Sequence, residues 1–471
     1  MSDRLSPLDV SFLYLEERTT PMHVGSVMIF RPGAAGLDWS RLVRHVEARI
    51  ALVPRYRQRV RFVPGRIANP VWVDDERFDI SYHMRRSALP RPGSEAQLEE
   101  LVARVQARRL DRSRPLWELV VVEGLEDGGF AVVTKVHQTL VDGVNAVDLG
   151  QVVLDDDEDG HEPPLHTWRP GREPSFAELV AAALTDTLRR PQQLADTARA
   201  GLGDLLSTGG RAAEALGGLA LAARTTASPL NVEIGGHRRF AMLATDLENY
   251  RRIRAHHLAG RVDGDAAGTT TVNDVVLATL AGALRTWLQG RGLGMGPGAI
   301  VRALVPMSVK AEDPSDASAI GSRVASLLVD LPTGEPSPLM RLHQVAYQTR
   351  SHREAGQALS APAIAGMAGF APPTLHSLGA RVASGLSRRL FNLVVTNVPG
   401  PQHPLFLDGS RLLSSYPVIP LAKGQALAVG LTSYDGAVNY GLNADRDALP
   451  DLDDLRRCIV DALAELVEAA R

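Results

Sequence analysis

Two α/β domains joined by a helical crossover are the architecture this sequence predicts, and three observations carry it. β-rich runs alternate with amphipathic helical stretches over residues 1–154, and the same alternation returns over residues 231–471. Between them, over residues 155–230, composition breaks at an acidic, proline-bearing segment that opens an Ala- and Leu-rich region. With 471 residues, 45% apolar and 22% charged, the chain has globular composition and enough length to bury a core in each half. A net charge of -3 offers no basic surface for nucleic acid. The single cysteine, Cys458, excludes a disulfide framework, a zinc cluster and an internal redox pair. Met1 to Pro7 lacks the apolar core of a signal peptide, and no run of roughly eighteen uncharged apolar residues occurs. The expectation is therefore a cytoplasmic protein without a membrane span.

In chain order, Trp39 to Leu52 keeps Leu42, Val43, Val46 and Ile50 at helical spacing, and a strand follows near Arg59 to Val63. Trp117 to Val122 and Phe130 to Val136 are β-rich, and the turn Glu126-Asp127-Gly128-Gly129 between them predicts a hairpin. The acidic run Asp155 to Gly160, followed by Pro163, Pro164 and Pro170, reads as a solvated linker. Ser175 with Glu178 has capping-box spacing and opens a helical region. From Phe176 to Ala223, Pro191, Gly201, Gly203, Gly209 and Gly210 divide it into several short amphipathic helices. These read as packing between domains, or as a surface resting on lipid, against which their mixed charge speaks.

In the second half, Thr270-Thr271 precede a helix from Asn273 to Leu288 that ends at Gly290. Ile300 to Val309, Ser326 to Leu331, Leu393 to Val398 and Leu427 to Leu431 read as strands, and Ser433-Tyr434-Asp435-Gly436 as a hairpin turn. A last helix runs from Leu452 to Ala470. His161 to His166 resembles a zinc helix only superficially, because Pro163 and Pro164 forbid the helix. No G-x-S-x-G elbow occurs, and His256-His257 reads as a surface pair.

The segment that carries chemistry is Thr134-Lys135-Val136-His137-Gln138-Thr139-Leu140-Val141-Asp142-Gly143. It leaves a strand, turns at Asp-Gly and enters a helix. A histidine at a strand end is placed to reach a cleft, although His137 beside Asp142-Gly143 reads as readily as a structural residue. Together with this segment, a series of blocks along nearly the whole chain resembles the wax ester synthase/diacylglycerol acyltransferase family, within the CoA-dependent acyltransferases. The blocks are Leu5 to Asp9, Pro21-Met22-His23-Val24-Gly25, Pro54 to Arg59, Trp72 to Asp75, Phe78 to His83 and Arg114-Pro115-Leu116-Trp117-Glu118. They continue with Pro229 to Asn231, Val272-Asn273-Asp274, Asn397-Val398-Pro399-Gly400-Pro401 and Tyr440 to Asp445.

The resemblance implies two chloramphenicol-acetyltransferase-like domains with a tunnel between them. It implies a long-chain acyl-CoA donor, and diacylglycerol or a fatty alcohol as acceptor. No metal or redox cofactor is implied, acyl-CoA being a substrate. Acceptors so apolar place the protein at a membrane or lipid-droplet surface. The family signature is H-H-x-x-x-D-G, whose second histidine is the base. Counted back from Asp142 that position holds Gln138, while His137 matches the first histidine. A glutamine amide does not titrate in the useful range, and losing a general base costs roughly 10²–10⁴ in rate. If the strand continues, Phe130, Val132, Thr134, Val136 and Gln138 share one face and His137 takes the other with Val133 and Lys135.

Three readings stay open: weak activity through His137, a non-catalytic lipid or acyl-CoA binder, or an engineered substitution in an active parent. A condensation-domain-like acyltransferase fed by a carrier protein is a further rival. Asp142 pairs with an arginine or caps the next helix, and Gly143 lets the backbone turn. Asn273 and Asp274 open a helix, as caps or as support of the channel. Pro115, Leu116 and Trp117 read as packing. Asn397, Pro399 and Gly400 read as a conformationally fixed loop lining the cleft, and Ser322 stands where the family has asparagine.

Overall fold

Ser6 and Asp9 bond each other's backbone in a capping box, with Pro7 at the first helical position, and so start α1 (Pro7–Leu15). The chain continues through β1 (His23–Arg31), α2 (Trp39–Ile50), β2 (Gln58–Arg61), β3 (Val71–Asp74) and β4 (Met84–Ala88). Next come α3 (Glu95–Ala107), β5 (Trp117–Glu123), β6 (Phe130–His137) and the single turn α4 (Gln138–Val141). α2 buries Leu42, Val46 and Ile50, the stripe its spacing predicts. β5 and β6 form the expected hairpin, with Gly128 supplying the positive φ of its turn. The computed structural model describes residues 3–141, 149–159, 168–189, 228–259, 270–309, 323–354, 359–360 and 390–471. Asp142, Gly143, Ser322 and residues 190–227 of the crossover lie outside the described residues.

α5 (Phe176–Arg189) begins at the Ser175–Glu178 box, whose backbone bonds run both ways. The second half holds β7 (Arg238–Asp246), α6 (Leu247–Ala259), α7 (Val272–Gly290), β8 (Val301–Val309), β9 (Arg323–Leu331), α8 (Pro338–Glu354) and β10 (Leu359–Ser360). It closes with β11 (Leu393–Pro399), β12 (Phe406–Leu407), β13 (Ser410–Val418), β14 (Leu427–Tyr434), β15 (Ala437–Asp445) and α9 (Leu452–Ala469). Asp435 and Gly436, both at positive φ, join β14 to β15 in the tight turn that strand twist favours.

The strands make a six-stranded sheet, β12-β13-β1-β6-β5-β4, and a seven-stranded sheet, β10-β9-β8-β11-β14-β15-β7. β2 and β3 pair separately. One helical core lies against the second sheet, built on α7, α9, β8, β11, β14 and β15. The first sheet carries a core on each face, one under α1 and α2 and one under α3.

Three expectations need correction. The span 231–471 does not stay with one sheet: β12 and β13 cross over, and β13 pairs antiparallel with β1. That pairing covers what would otherwise be an open edge of β1. The acidic run is not wholly a solvated linker either. Asp155 is 6% exposed, ion-paired with Arg49, and its backbone N–H and C=O both bond Phe406 at 2.8 Å. His257 is likewise more than half of a surface pair, since its Nδ1 lies 2.8 Å from Thr270 Oγ1.

β13 lies against β14 and β15, so the two sheets meet closely. A Cβ on Gly441 would stand 1.8 Å from Pro417 O, which only a glycine permits. On the other side of the seam, Glu99 of α3 accepts from Met242 N at 2.7 Å, and Arg456 of α9 bonds the same carboxylate at 3.0 Å. Burial pushes the Glu99 carboxyl up to about 7, against the bond from Met242 and the charge of Arg456.

Gly441→Ala should cost about 1–3 kcal/mol through forced separation at the seam. Gly290→Ala, with open space at its Cβ, should stay within about 0.5 kcal/mol. Chemical denaturation of both reads the difference. Because the folded pKa of Glu99 lies above the unfolded value, its contribution is fully present below about 4.5 and is lost as pH rises through about 7. Glu99→Gln should therefore flatten the fall in melting temperature across that window, and an unchanged slope would refute the assignment.

Candidate active site

β6 is buried at all eight positions, so its side chains have no freedom to exchange faces. Phe130, Val132 and Val136 enter the core under α1 and α2, and Ala131 and Val133 the core under α3. The strand end is pinned by backbone bonds from both sides. His137 N donates to Leu116 O and Gln138 N to Met22 O, each at 3.0 Å, and His137 stands opposite His23 on β1. Pro115-Leu116-Trp117 thus touches the motif strand through main chain. Leu116 and Trp117 are themselves fully buried, and the Trp117 indole donates to Tyr56 O at 2.7 Å and stacks on His83.

His137 is 1% exposed. Its Nδ1 accepts from Thr139 N at 3.2 Å and lies 2.9 Å from Thr139 Oγ1. That pattern assigns the ring proton to Nε2, which has no hydrogen-bond partner among the described residues and lies 4.0 Å from Glu16 Oε2. Burial above all, with the neighbouring His23 and the charges of Arg112 and Arg109, pushes its pKa down to about 3. One nitrogen is occupied and the other protonated, so the ring as placed has no lone pair to offer an alcohol. Gln138 follows as the half-buried first residue of α4.

Behind His137 is a buried charge cluster that the sequence reading missed. Glu16, at the end of α1, accepts from Arg112 Nε at 2.9 Å and Arg109 Nη2 at 3.0 Å, and its Oε1 lies 3.2 Å from His23 Nε2. Leu110 N also approaches that nitrogen, at 3.4 Å. The carboxylate is the nearer and charged neighbour, which puts the His23 proton on Nε2. Burial raises the Glu16 carboxyl, but bonds from His23 and Arg109 and the Arg112 charge outweigh it and hold the group well below the usual carboxylate range. Lys135, two residues before His137, is buried as well, donating to Val105 O at 3.1 Å and Glu118 Oε2 at 3.3 Å. Glu16 had no signal in the sequence beyond its place after an apolar helix, where a charge ordinarily reads as surface.

In the second half, Thr271 and Asp274 cap α7 reciprocally, and buried Asp274 also accepts from Thr349 Oγ1 of α8 at 2.7 Å. Asn273 Oδ1 accepts from Asn397 Nδ2 of β11 at 3.1 Å, so two of the blocks singled out in the sequence meet. Pro399 ends β11, exposed. Gly400 turns against β14, where a Cβ would stand 2.4 Å from Ser433 O. A cavity of about 580 Å³ opens beside Pro229, Ile234, Gly235 and Asp445, of which Pro229 and Asp445 belong to two of the sequence blocks, and none of the described residues of the His137 segment lines it.

The family model described as the wax ester synthase/diacylglycerol acyltransferase catalytic domain matches residues 5–276, and the C-terminal domain of the same family matches residues 320–467. A putative diacylglycerol O-acyltransferase of Mycobacterium bovis is 35% identical over 469 residues, 99% of each chain. A probable diacylglycerol O-acyltransferase of Mycobacterium tuberculosis is 45% identical over 266 residues, 55% of this chain and 97% of that one. Among solved structures, the wax ester synthase/diacylglycerol acyltransferase from Marinobacter aquaeolei aligns with TM-score 0.68 and 29% identity, over 99% of both chains. The starter condensation domain of rhizomide synthetase aligns at TM-score 0.56 with 13% identity, over 100% of this chain and 95% of that one, a likeness of fold alone.

With a folded pKa of about 3, His137 should stay neutral from pH 8 to pH 5. The unfolded chain takes up that proton near 6.5, so this group's stabilisation is present above 6.5 and is lost as pH falls toward 3. Titration of the His137 ring by NMR checks this, and a midpoint near 6.5 would show an open imidazole.

Proposed function

The chain belongs to the wax ester synthase/diacylglycerol acyltransferase family, and on that premise we propose that it is an O-acyltransferase whose turnover is slowed because Gln138 stands at the position of the expected base. It moves a long-chain acyl group from acyl-CoA to diacylglycerol, giving triacylglycerol, or to a fatty alcohol, giving a wax ester. The end-to-end likeness to the Marinobacter enzyme carries this reading. The acceptor oxygen attacks the thioester carbonyl, a C–O bond forms as the C–S bond breaks, and the hydroxyl proton ends on the departing CoA sulfur. A histidine at position 138 would take and return that proton. The amide of Gln138 can hold the hydroxyl by a hydrogen bond but cannot accept the proton. Positioning of both substrates and stabilisation of the oxyanion do not need the base.

A tunnel between the halves takes the two apolar substrates, with Asn273, Asp274 and Asn397 supporting its wall from the second half. Acyl-CoA enters as a substrate, and the reaction calls on no cofactor. Acceptors of this kind reside in membranes and lipid droplets, so the working location is a peripheral one on the cytoplasmic side. Among the described residues no helix is long and apolar enough to cross a membrane. Gln138, with the occupied ring of His137, favours a second reading, a protein that binds acyl-CoA or lipid without turnover.

The test compares the protein with Gln138→His, supplied with long-chain acyl-CoA and either dioleoylglycerol or hexadecanol, following CoA release and neutral lipid together. The histidine variant should be faster by roughly 10²–10⁴-fold. Equal rates would mean that another group carries the proton. No ester from either protein would favour the binding reading, which titration with the same ligands then measures.

A further inference from the structure

We infer that Glu16 is a positioning residue for this site, one that holds His137 in its Nε2–H tautomer and thereby sets the strand end that presents position 138. The inference rests on the acyltransferase reading for its kinetic arm and on geometry alone for its spectroscopic arm.

A carboxylate whose side chain is 1% exposed, ion-paired with two arginines, beside His23 at 3.2 Å and 4.0 Å from His137, is a costly object inside a protein. Apolar residues of similar volume would pack the same space at no electrostatic cost, so stability alone does not explain it. Its placement does. Glu16 ends α1, and α1 packs on α4, the turn that begins at Gln138. The same carboxylate reaches His23, which pairs across the strands with His137, and Met22 just before it bonds the backbone of Gln138. Arg112 also donates to Leu13 O at 2.8 Å, so the helix end and the carboxylate are gripped by one guanidinium.

Hydrogen bonding also distinguishes the two carboxylate oxygens. Oε2 takes both arginines and faces His137 Nε2, while Oε1 faces His23 Nε2. A fixed negative charge near both ring edges favours N–H on those edges. For His137 that leaves Nδ1 free to accept from Thr139 N, the bond that orients the first turn of α4. Removing the charge would leave Arg109 and Arg112 facing the rings. The proton on His137 would then move to Nδ1, break the bond from Thr139 N and turn the peptide that carries residue 138. A misplacement of about 1 Å there is worth about 10²-fold in rate.

The experiment reads the imidazole nitrogens of His137 by ¹⁵N NMR in the protein and in Glu16→Gln, and measures kcat and KM in Gln138→His with and without Glu16→Gln. The expected result is an Nε2–H ring in the protein and a shifted tautomer in Glu16→Gln, with kcat down about 10²-fold and KM unchanged. If Glu16→Gln does not fold, Arg109→Gln loosens the carboxylate from the solvent side and should move both readouts in the same direction. A lowered melting temperature with the His137 tautomer and kcat unmoved would overturn the proposal, leaving Glu16 a packing residue. If Gln138→His makes no ester, the acyltransferase reading falls, and the ring tautomer alone decides the part played by Glu16.

Discussion

Strand β6 has no exposed face, and this burial governs what its last residues can do. With side chains alternating and both sides filled, a slip of one residue would drive Lys135 and His137 into the apolar core under α1 and α2 and expel Val132 and Val136 from it. The register is therefore held, and His137 is committed to the side of Glu16. There its ring is neutral, with its acceptor nitrogen used by Thr139. Position 138 is the first place at which the chain leaves the ladder and can turn a side chain elsewhere. The different surroundings of these two consecutive residues follow from strand geometry before any chemistry is considered.

Holding the first sheet against the second requires an equally strict contact. β13 is covalently part of the second half and hydrogen-bonded to the first, and it lies on β14 and β15 at distances that Gly441 and Gly430 alone allow. The segment after α1 adds to the tie. Glu16 points inward to the arginines, while its neighbour Glu17 bonds Lys423 at 2.6 Å, and Arg238 donates to Thr19 O. Residues 16–23 thus touch the motif strand on one side and the second half on the other. The Asn273–Asn397 pair of the second half is consequently held in fixed relation to the motif strand by more than the linker.

Local features were legible because their physics is local. Capping boxes at Ser175 and Thr271, the β5–β6 turn and the Asp435-Gly436 turn each depend on residues within four of one another. The alternation along β6 was legible for the same reason, with Phe130, Val132 and Val136 in one core and Ala131 and Val133 in the other, although the strand ends at His137 and Gln138 already belongs to a helical turn. What escaped depends on distant partners. Nothing within Ser410–Val418 tells which sheet it will join, because an alternating strand pairs equally well with either. Asp155 looks like the first of several solvated acids until Arg49 is brought beside it. Glu16 carries no local sign of its burial, because Arg109 and Arg112 lie more than ninety residues away in sequence.

These contacts also explain how a glutamine can occupy position 138 without disturbing the fold. The anchoring bond there is made by the backbone, Gln138 N to Met22 O, and so is indifferent to the side chain. The residue is half-buried at the start of a one-turn helix, where glutamine and histidine are both tolerated. Neither Glu16, His23 nor His137 bonds the glutamine amide, so the charge cluster behind the strand stays intact. What the exchange removes is a titratable nitrogen. Fold and side-chain chemistry are separable at this one position, since the backbone bond that anchors it is the same whether or not the side chain can take a proton.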